Sequence, residues 1–487
     1  MDERPVTRRQ FTALTAAVCA LGLVAVAGPI VVYEATRSTG GSGTAAVAGV
    51  LTPASVAPPS GQSGQLPGGA GASEPTGPVT GPAADPVHRP AYAITASVDP
   101  RGGLVDGAER VRVPAGVGGS PLRFRVLAGA RDYGGDFRLG TTSIDGRTVH
   151  PNLDDSLLSV ARPPGRATTV ELHFRYTLRR GTEPSSAGGL GLGLGGGSGA
   201  PSVLDLLARF DTGLSMGHWY PALLAEGDIA RATLPANGDI GASPAADITA
   251  DISVPAGHSV ISGGVTTRAH SSRGTTQVTQ RGHALRELSL VVSDQLVETR
   301  QQVGGARVRV WSTADGRSDA TRVAGYVATG IGVYSRDFGR YPWPELNVVE
   351  APMPAGVGGM EWQGMFWIGP DMFTGTLPGL GGLGSLGGST GSPIDTQSIS
   401  EFTVVHELAH QWWQGIVGLD QTAYEVIDEP LAQFSGCLYF RTVHPGTAAG
   451  ACALNVTMNY QMMRLLGMPD APANRPTYSY SNPLVYA

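Results

Sequence analysis

Past residue 90 the chain is written in short alternations of apolar and polar positions. AYAITASVDP, RVRVP, LRFRVLAG, TTVELHFRYTL, ADITADISVP and LRELSLVVS are short segments with period-two alternation, bounded by glycine and proline. That period places successive side chains on opposite faces of a strand, so residues 89–303 read as an antiparallel β domain. RVRVWST at 307–313 is a further strand that opens a second region, 304–487. There the spacing changes: RVAGYVATGIGVYSRDFGRYPW carries apolar residues at helical intervals, and ELNVVEAPMPAGVGGMEWQGMFWIG returns to strand character. SISEFTVVHELAHQWWQGIVG predicts a helix opened by a Ser398–Glu401 capping box and stopped by Gly415 and Gly418. The fold class is therefore α+β and multidomain, β first and mixed afterwards.

The first 88 residues follow neither pattern. Phe11 to Tyr33 carries no charge and is preceded by Arg4, Arg8 and Arg9, as in a membrane anchor whose following chain is exported. Arg8–Arg9 with Phe11 and the Ala25–Val26–Ala27 site fit a cleaved twin-arginine signal as well, and both readings of 1–37 place the rest outside the cytoplasm. Residues 38–88 are almost all Gly, Ala, Pro, Ser, Thr and Val, a composition that cannot bury enough surface to fold and predicts a flexible tether. Glycine-rich stretches at 185–202 and 374–395 read as a loop and an insertion.

Composition narrows the chemistry. A net charge of −6 argues against a nucleic-acid surface. All 34 basic residues are arginine, which excludes P-loop, Schiff-base and Ser-x-x-Lys mechanisms. Of the three cysteines, Cys19, Cys437 and Cys452, the last two read as buried free thiols or as one bridge, with free thiols preferred.

VVHELAHQWWQG supplies the candidate site. His406 and His410 lie four residues apart on one helical face, so both imidazoles can reach one tetrahedral ion. Glu407 falls about 100° around the helix, beside the ion rather than on it. Eighteen residues intervene between His410 and Glu429, which is followed by Pro430, a residue that suits the first turn of a helix. Two histidines and a carboxylate leave a fourth position for water, the ligand set of a catalytic Zn2+.

HELAHQWW with this spacing, together with WYPAL at 219–223, FGRYPWPEL at 338–346 and GGMEWQG at 358–364, resembles the aminopeptidase N-like family of gluzincin zinc peptidases. The resemblance implies a saddle-like N-terminal β domain followed by a thermolysin-like α/β domain. It makes His406, His410 and Glu429 the ligands of one zinc and Glu407 the general base. Within Gly358–Gly359–Met360–Glu361 it implies a peptide-binding edge whose Glu361 holds the substrate's free α-amine, so the partners are peptide N-termini.

The sequence departs from the family where Trp362 replaces an asparagine, a change expected to reshape the first side-chain pocket. A second amine-holding residue has no evident match. Tyr486 is the best match to the family's catalytic tyrosine, with Tyr478 and Tyr480 as alternatives, and the resemblance implies a catalytic domain incomplete in its C-terminal helical part. An extracytoplasmic zinc aminopeptidase is the leading expectation. A surface-binding protein that keeps zinc without catalysis and an endopeptidase of the same fold are the alternatives.

Overall fold

A computed structural model describes residues 88–181, 203–225, 231–235, 238–351, 353, 358–376, 396–418, 420–457, 460–461, 464, 467, 472 and 475–479. The anchor or signal segment, nearly all of the 38–88 tether and of the two glycine-rich stretches, Cys19, Tyr480 and Tyr486 lie outside the described residues. No helix among the described residues is long and apolar enough to cross a membrane.

The alternating segments form an eight-stranded sheet. Its order is Val265–Ser272, Thr275–Leu285, Ala246–Pro255, Ala91–Asp99, Leu104–Val113, Thr168–Thr177, Arg138–Ile144 and Arg147–Val149. Alternation becomes burial: Tyr92, Ile94, Ala96 and Val98 of the first strand face inward and their neighbours face out. Two pairings depart from the antiparallel expectation: Ala91–Asp99 runs parallel to Ala246–Pro255 in this sheet, and Arg179–Arg180 runs parallel to Leu207–Phe210 in a smaller one. Parallel neighbours need a long crossover, which here is the whole chain between them, and period two alone does not distinguish the two pairings. A five-stranded sheet built around Gly213–Met216 and a four-stranded one around Leu122–Arg125 complete the region.

The next sheet has the order Val297–Val303, Ala306–Ser312, Glu345–Glu350, Met365–Ile368 and Gly359–Trp362. Its three inner strands are parallel, and the Arg317–Phe338 helix is the crossover between the first two. Glu345–Glu350 is buried at every position, as expected of a strand covered on both faces. Gly359–Trp362 turns back antiparallel at the edge, which exposes its start to the cleft.

The Arg317–Phe338 and Thr396–Ala409 helices lie on this sheet, and a third helix, Glu429–Val443, packs on them. Thr396–Ala409 packs against Glu429–Val443, where Gly436 lets the Phe402 ring lie against the backbone. The expected capping box does not form. The helix already includes Thr396 and Gln397, and Glu401 accepts from Tyr439 Oη at 2.6 Å and stands 2.9 Å from His444 Nε2. Tertiary partners have outcompeted the local one. The helix also stops earlier than its glycines suggest, at Ala409, and the chain continues as turns through Gly415. Cys437 and Cys452 are joined by a disulfide between the Glu429–Val443 and Ala448–Cys452 helices, rather than lying as free thiols.

The apolar core is continuous from Tyr92 in the β region to Phe440 in the last long helix. A smaller cluster at the junction packs Leu206, Ile261 and Val291 against Trp311, Trp362 and Trp367. The two regions thus share a wall, and the candidate site lies beside it.

Candidate metal centre

The helix ending at Ala409 presents His406 and, in the turn after it, His410; the next long helix begins at Glu429 with Pro430 behind it. Their donor atoms converge. His406 Nε2 stands 3.2 Å from His410 Nε2 and 3.3 Å from Glu429 Oε2, and all three side chains are largely buried. Ligands bonded to a tetrahedral zinc at about 2.0–2.1 Å stand about 3.3–3.4 Å apart. Two of the three donor separations match that spacing, and the third pair, His410 and Glu429, lies within 4.8 Å.

His410 Nδ1 donates to Asp428 Oδ1 at 2.7 Å, leaving the Nε2 lone pair to face the other ligands. Burial holds His410 at about 3, so its imidazole is neutral over the physiological range. Burial works against ionisation of Glu429, but its hydrogen bond to His406 and the charge of that ring outweigh it and hold the carboxylate at about 2. For His406, burial is likewise outweighed by Glu429, and the ring is raised above its ordinary value.

Glu407 is 5% exposed, and its Oε2 has no hydrogen-bond partner among the described residues. Burial pushes it up to about 8, with His406 opposing and Glu429 adding to the rise. A buried carboxyl with that affinity suits proton exchange near neutrality. Its position depends on Gly359, because a Cβ there would lie 2.5 Å from Glu407 Cγ and nearer still to Cδ and Oε1.

Glu361 leaves the edge strand toward the same space. One of its oxygens falls within 4.8 Å of donor atoms on both Glu407 and His410. Burial, then the neighbouring Asp239 and Asp428 carboxylates, raise it well above the usual range. Met360 is half-buried against the Trp362–Trp367 cluster, and Gly358 sits beside Thr403 of the histidine-bearing helix. Trp362 is not an open pocket wall. Its ring is 5% exposed, edge-on to His218 at 5.2 Å and tilted against Trp367 at 5.1 Å. What it borders is a narrow cavity shared with Asp239, Arg286, Glu287, Gln363 and Gln421.

Two acids stand here that motif spacing did not assign. Asp428 lay in plain view before Glu429, and its part shows only once His410 is placed against it. Asp239 sits in a loop of the β region, after Gly238, where sequence offers only a loop reading. The fold carries it to Glu361 and Asp428, whose ligand atoms lie with its own within 4.8 Å of one another. Burial pushes Asp239 up to about 7. Tyr478 is engaged elsewhere: its hydroxyl accepts from Arg125 Nη2 at 3.3 Å and from the Arg231 backbone N–H at 3.0 Å.

No protein-family model and no curated protein sequence matches the chain. Solved structures do. An M1 zinc metallopeptidase from Deinococcus radiodurans is 19% identical with a TM-score of 0.50, over 79% of this chain and 77% of that one. A point mutant described as the M1 zinc metallopeptidase of that organism gives 18%, 0.51, 82% and 80%. A mutant two-domain M1 zinc metallopeptidase bound to L-arginine gives 20%, 0.51, 80% and 77%. Over about four-fifths of its length, then, the chain shares the fold of the M1 zinc metallopeptidases.

Proposed function

We propose that the protein is a zinc-dependent aminopeptidase acting on peptide N-termini outside the cytoplasmic membrane. The observation that carries this reading is the convergence of the His406, His410 and Glu429 donor atoms within 4.8 Å of one another, with two further buried carboxyls, Glu407 and Glu361, beside them. Bound zinc would polarise the scissile carbonyl and acidify a water. Glu407, held near neutrality by burial, takes that water's proton and returns it to the leaving amine. Glu361 and Asp239 face a substrate ammonium, the group that a free N-terminus carries. Asp428 keeps His410 in the tautomer that can bind metal.

Export is supported by the Phe11–Tyr33 segment and by the Cys437–Cys452 disulfide, since such bonds persist in oxidising compartments. A Glu407→Gln variant should keep its zinc and lose nearly all turnover of an aminoacyl-coumarin. Wild-type turnover in that variant would refute the assignment. An N-acetylated substrate should not be cleaved; its cleavage would favour the endopeptidase alternative.

A further inference from the structure

Asp239, Glu361 and Asp428 come from three separate parts of the chain: a loop of the β region, the edge strand, and the residue before the Glu429–Val443 helix. Each offers an oxygen within 4.8 Å of the other two. No nitrogen or sulfur donor belongs to this group, unlike the histidine-bearing one.

The trio lacks committed cationic partners. Among the described residues the Glu361 carboxylate has no hydrogen bond or ion pair, although it is only 6% exposed. Asp428, 4% exposed, gives Oδ1 to His410, and its carboxyl also shares a hydrogen bond with that of Asp239. His218, whose charge reaches Asp239, is bound to Glu287 at 2.6 Å. Arg286, whose charge reaches Asp428, gives Nε to the Gln414 carbonyl and Nη1 to that of Ser243, each at 3.0 Å. Three crowded, buried carboxyls, with Glu361 unpartnered among the described residues, call for a ligand with concentrated positive charge.

We propose that Asp239, Glu361 and Asp428 form a second cation site, distinct from the zinc ligands, that takes a calcium-like divalent ion when no peptide amine occupies the cleft. All-oxygen donors suit a hard cation rather than a second zinc. Calcium accepts oxygen ligands in flexible, irregular geometry whereas magnesium demands a near-ideal octahedron, so three carboxyls drawn from separate elements suit calcium better. Open positions fill with cleft water. Because Glu361 belongs to both sites, ion and substrate amine exclude each other; this competition rests on the aminopeptidase reading, whereas the binding of the ion does not.

Terbium luminescence on the zinc-loaded full chain tests the site, with Trp362 as the sensitiser next to Glu361. The expected result is one saturable terbium per chain, displaced by calcium at least tenfold more readily than by magnesium. Asp239→Asn and Glu361→Gln should each weaken calcium at least tenfold while zinc stays at one per chain. With an aminoacyl-coumarin, calcium should raise KM and leave kcat unchanged. No saturable terbium, equal calcium affinity in both variants, or release of zinc by calcium would overturn the proposal. Calcium bound as expected by a chain that hydrolyses nothing would uphold the site and refute the aminopeptidase; hydrolysis without a terbium site would do the reverse.

Discussion

Replacing Gly359 with alanine separates catalysis from folding in this protein. The added Cβ would lie 2.5 Å from Glu407 Cγ, whereas apolar carbons rest at about 3.5–4.0 Å. The strand carrying Gly359 is fixed by its pairing with Ile368, so the Glu407 side chain must give way, by about 1 Å. A displacement of that size at a reacting group can cost about 100-fold in rate, or about 2.7 kcal/mol of barrier. Folding should suffer far less. Among the described residues Glu407 Oε2 has no partner to lose, and alanine in a strand is favoured over glycine by about 0.5–1 kcal/mol.

Three measurements on Gly359→Ala are needed: kcat with an aminoacyl-coumarin, zinc per chain, and the urea midpoint. Gly325→Ala, in an open position of the Arg317–Phe338 helix, serves as control. The expected outcome is a kcat lowered by about two orders of magnitude at full zinc, with stability within about 1 kcal/mol of wild type. A kcat within threefold of wild type would show that the position of Glu407 does not govern the rate.

Asp428→Ala removes the acceptor for His410 Nδ1 but no helix cap, since the Asp428 side chain makes no capping bond; zinc affinity in a chelator competition should fall about 10- to 100-fold. Unchanged affinity would mean that Asp428 does not orient the ring. Glu109, buried with both carboxyl oxygens unpartnered, has its proton affinity raised well above 4.5 by burial. The folded state then holds that proton longer than the unfolded chain, so stability falls as pH rises above about 4.5, by up to about 1.4 kcal/mol per pH unit. Glu109→Gln should flatten the decline between pH 5 and 7 in urea titrations, and an identical slope would contradict the buried carboxyl. Reducing the Cys437–Cys452 bridge, which closes a separation of 15 residues, should lower stability by about 3 kcal/mol, read as a urea-midpoint difference with and without reductant. Coincident transitions would refute that contribution.

How much of this was legible in the sequence depended on how far the relevant contacts reach. His406, Glu407 and His410 are set by one turn of helix, and Glu429 by a short step to the next helix, so spacing could name them. The β segments were legible because one buried face imposes period two, yet period two says nothing of which strand lies beside Ala91–Asp99. Glu401 misled for a related reason: the sequence shows its local partner Ser398, not Tyr439 and His444, which only the packed helices supply. The disulfide required knowing that the Cys437 and Cys452 Cα atoms approach to 5.4 Å. Asp239 was out of reach altogether, because nothing in a polar loop signals a fold that carries it to Glu361.

Asp428 touches two neighbours with one carboxyl group. Oδ1 serves His410, and the same side chain meets the Asp239–Glu361 pair. Thermodynamic reciprocity then applies: whatever binds among those acids changes the affinity of the histidine-held ion by some factor, and that ion changes the acids' ligand affinity by the same factor. A dissociation constant measured for either alone describes only one edge of a four-state cycle.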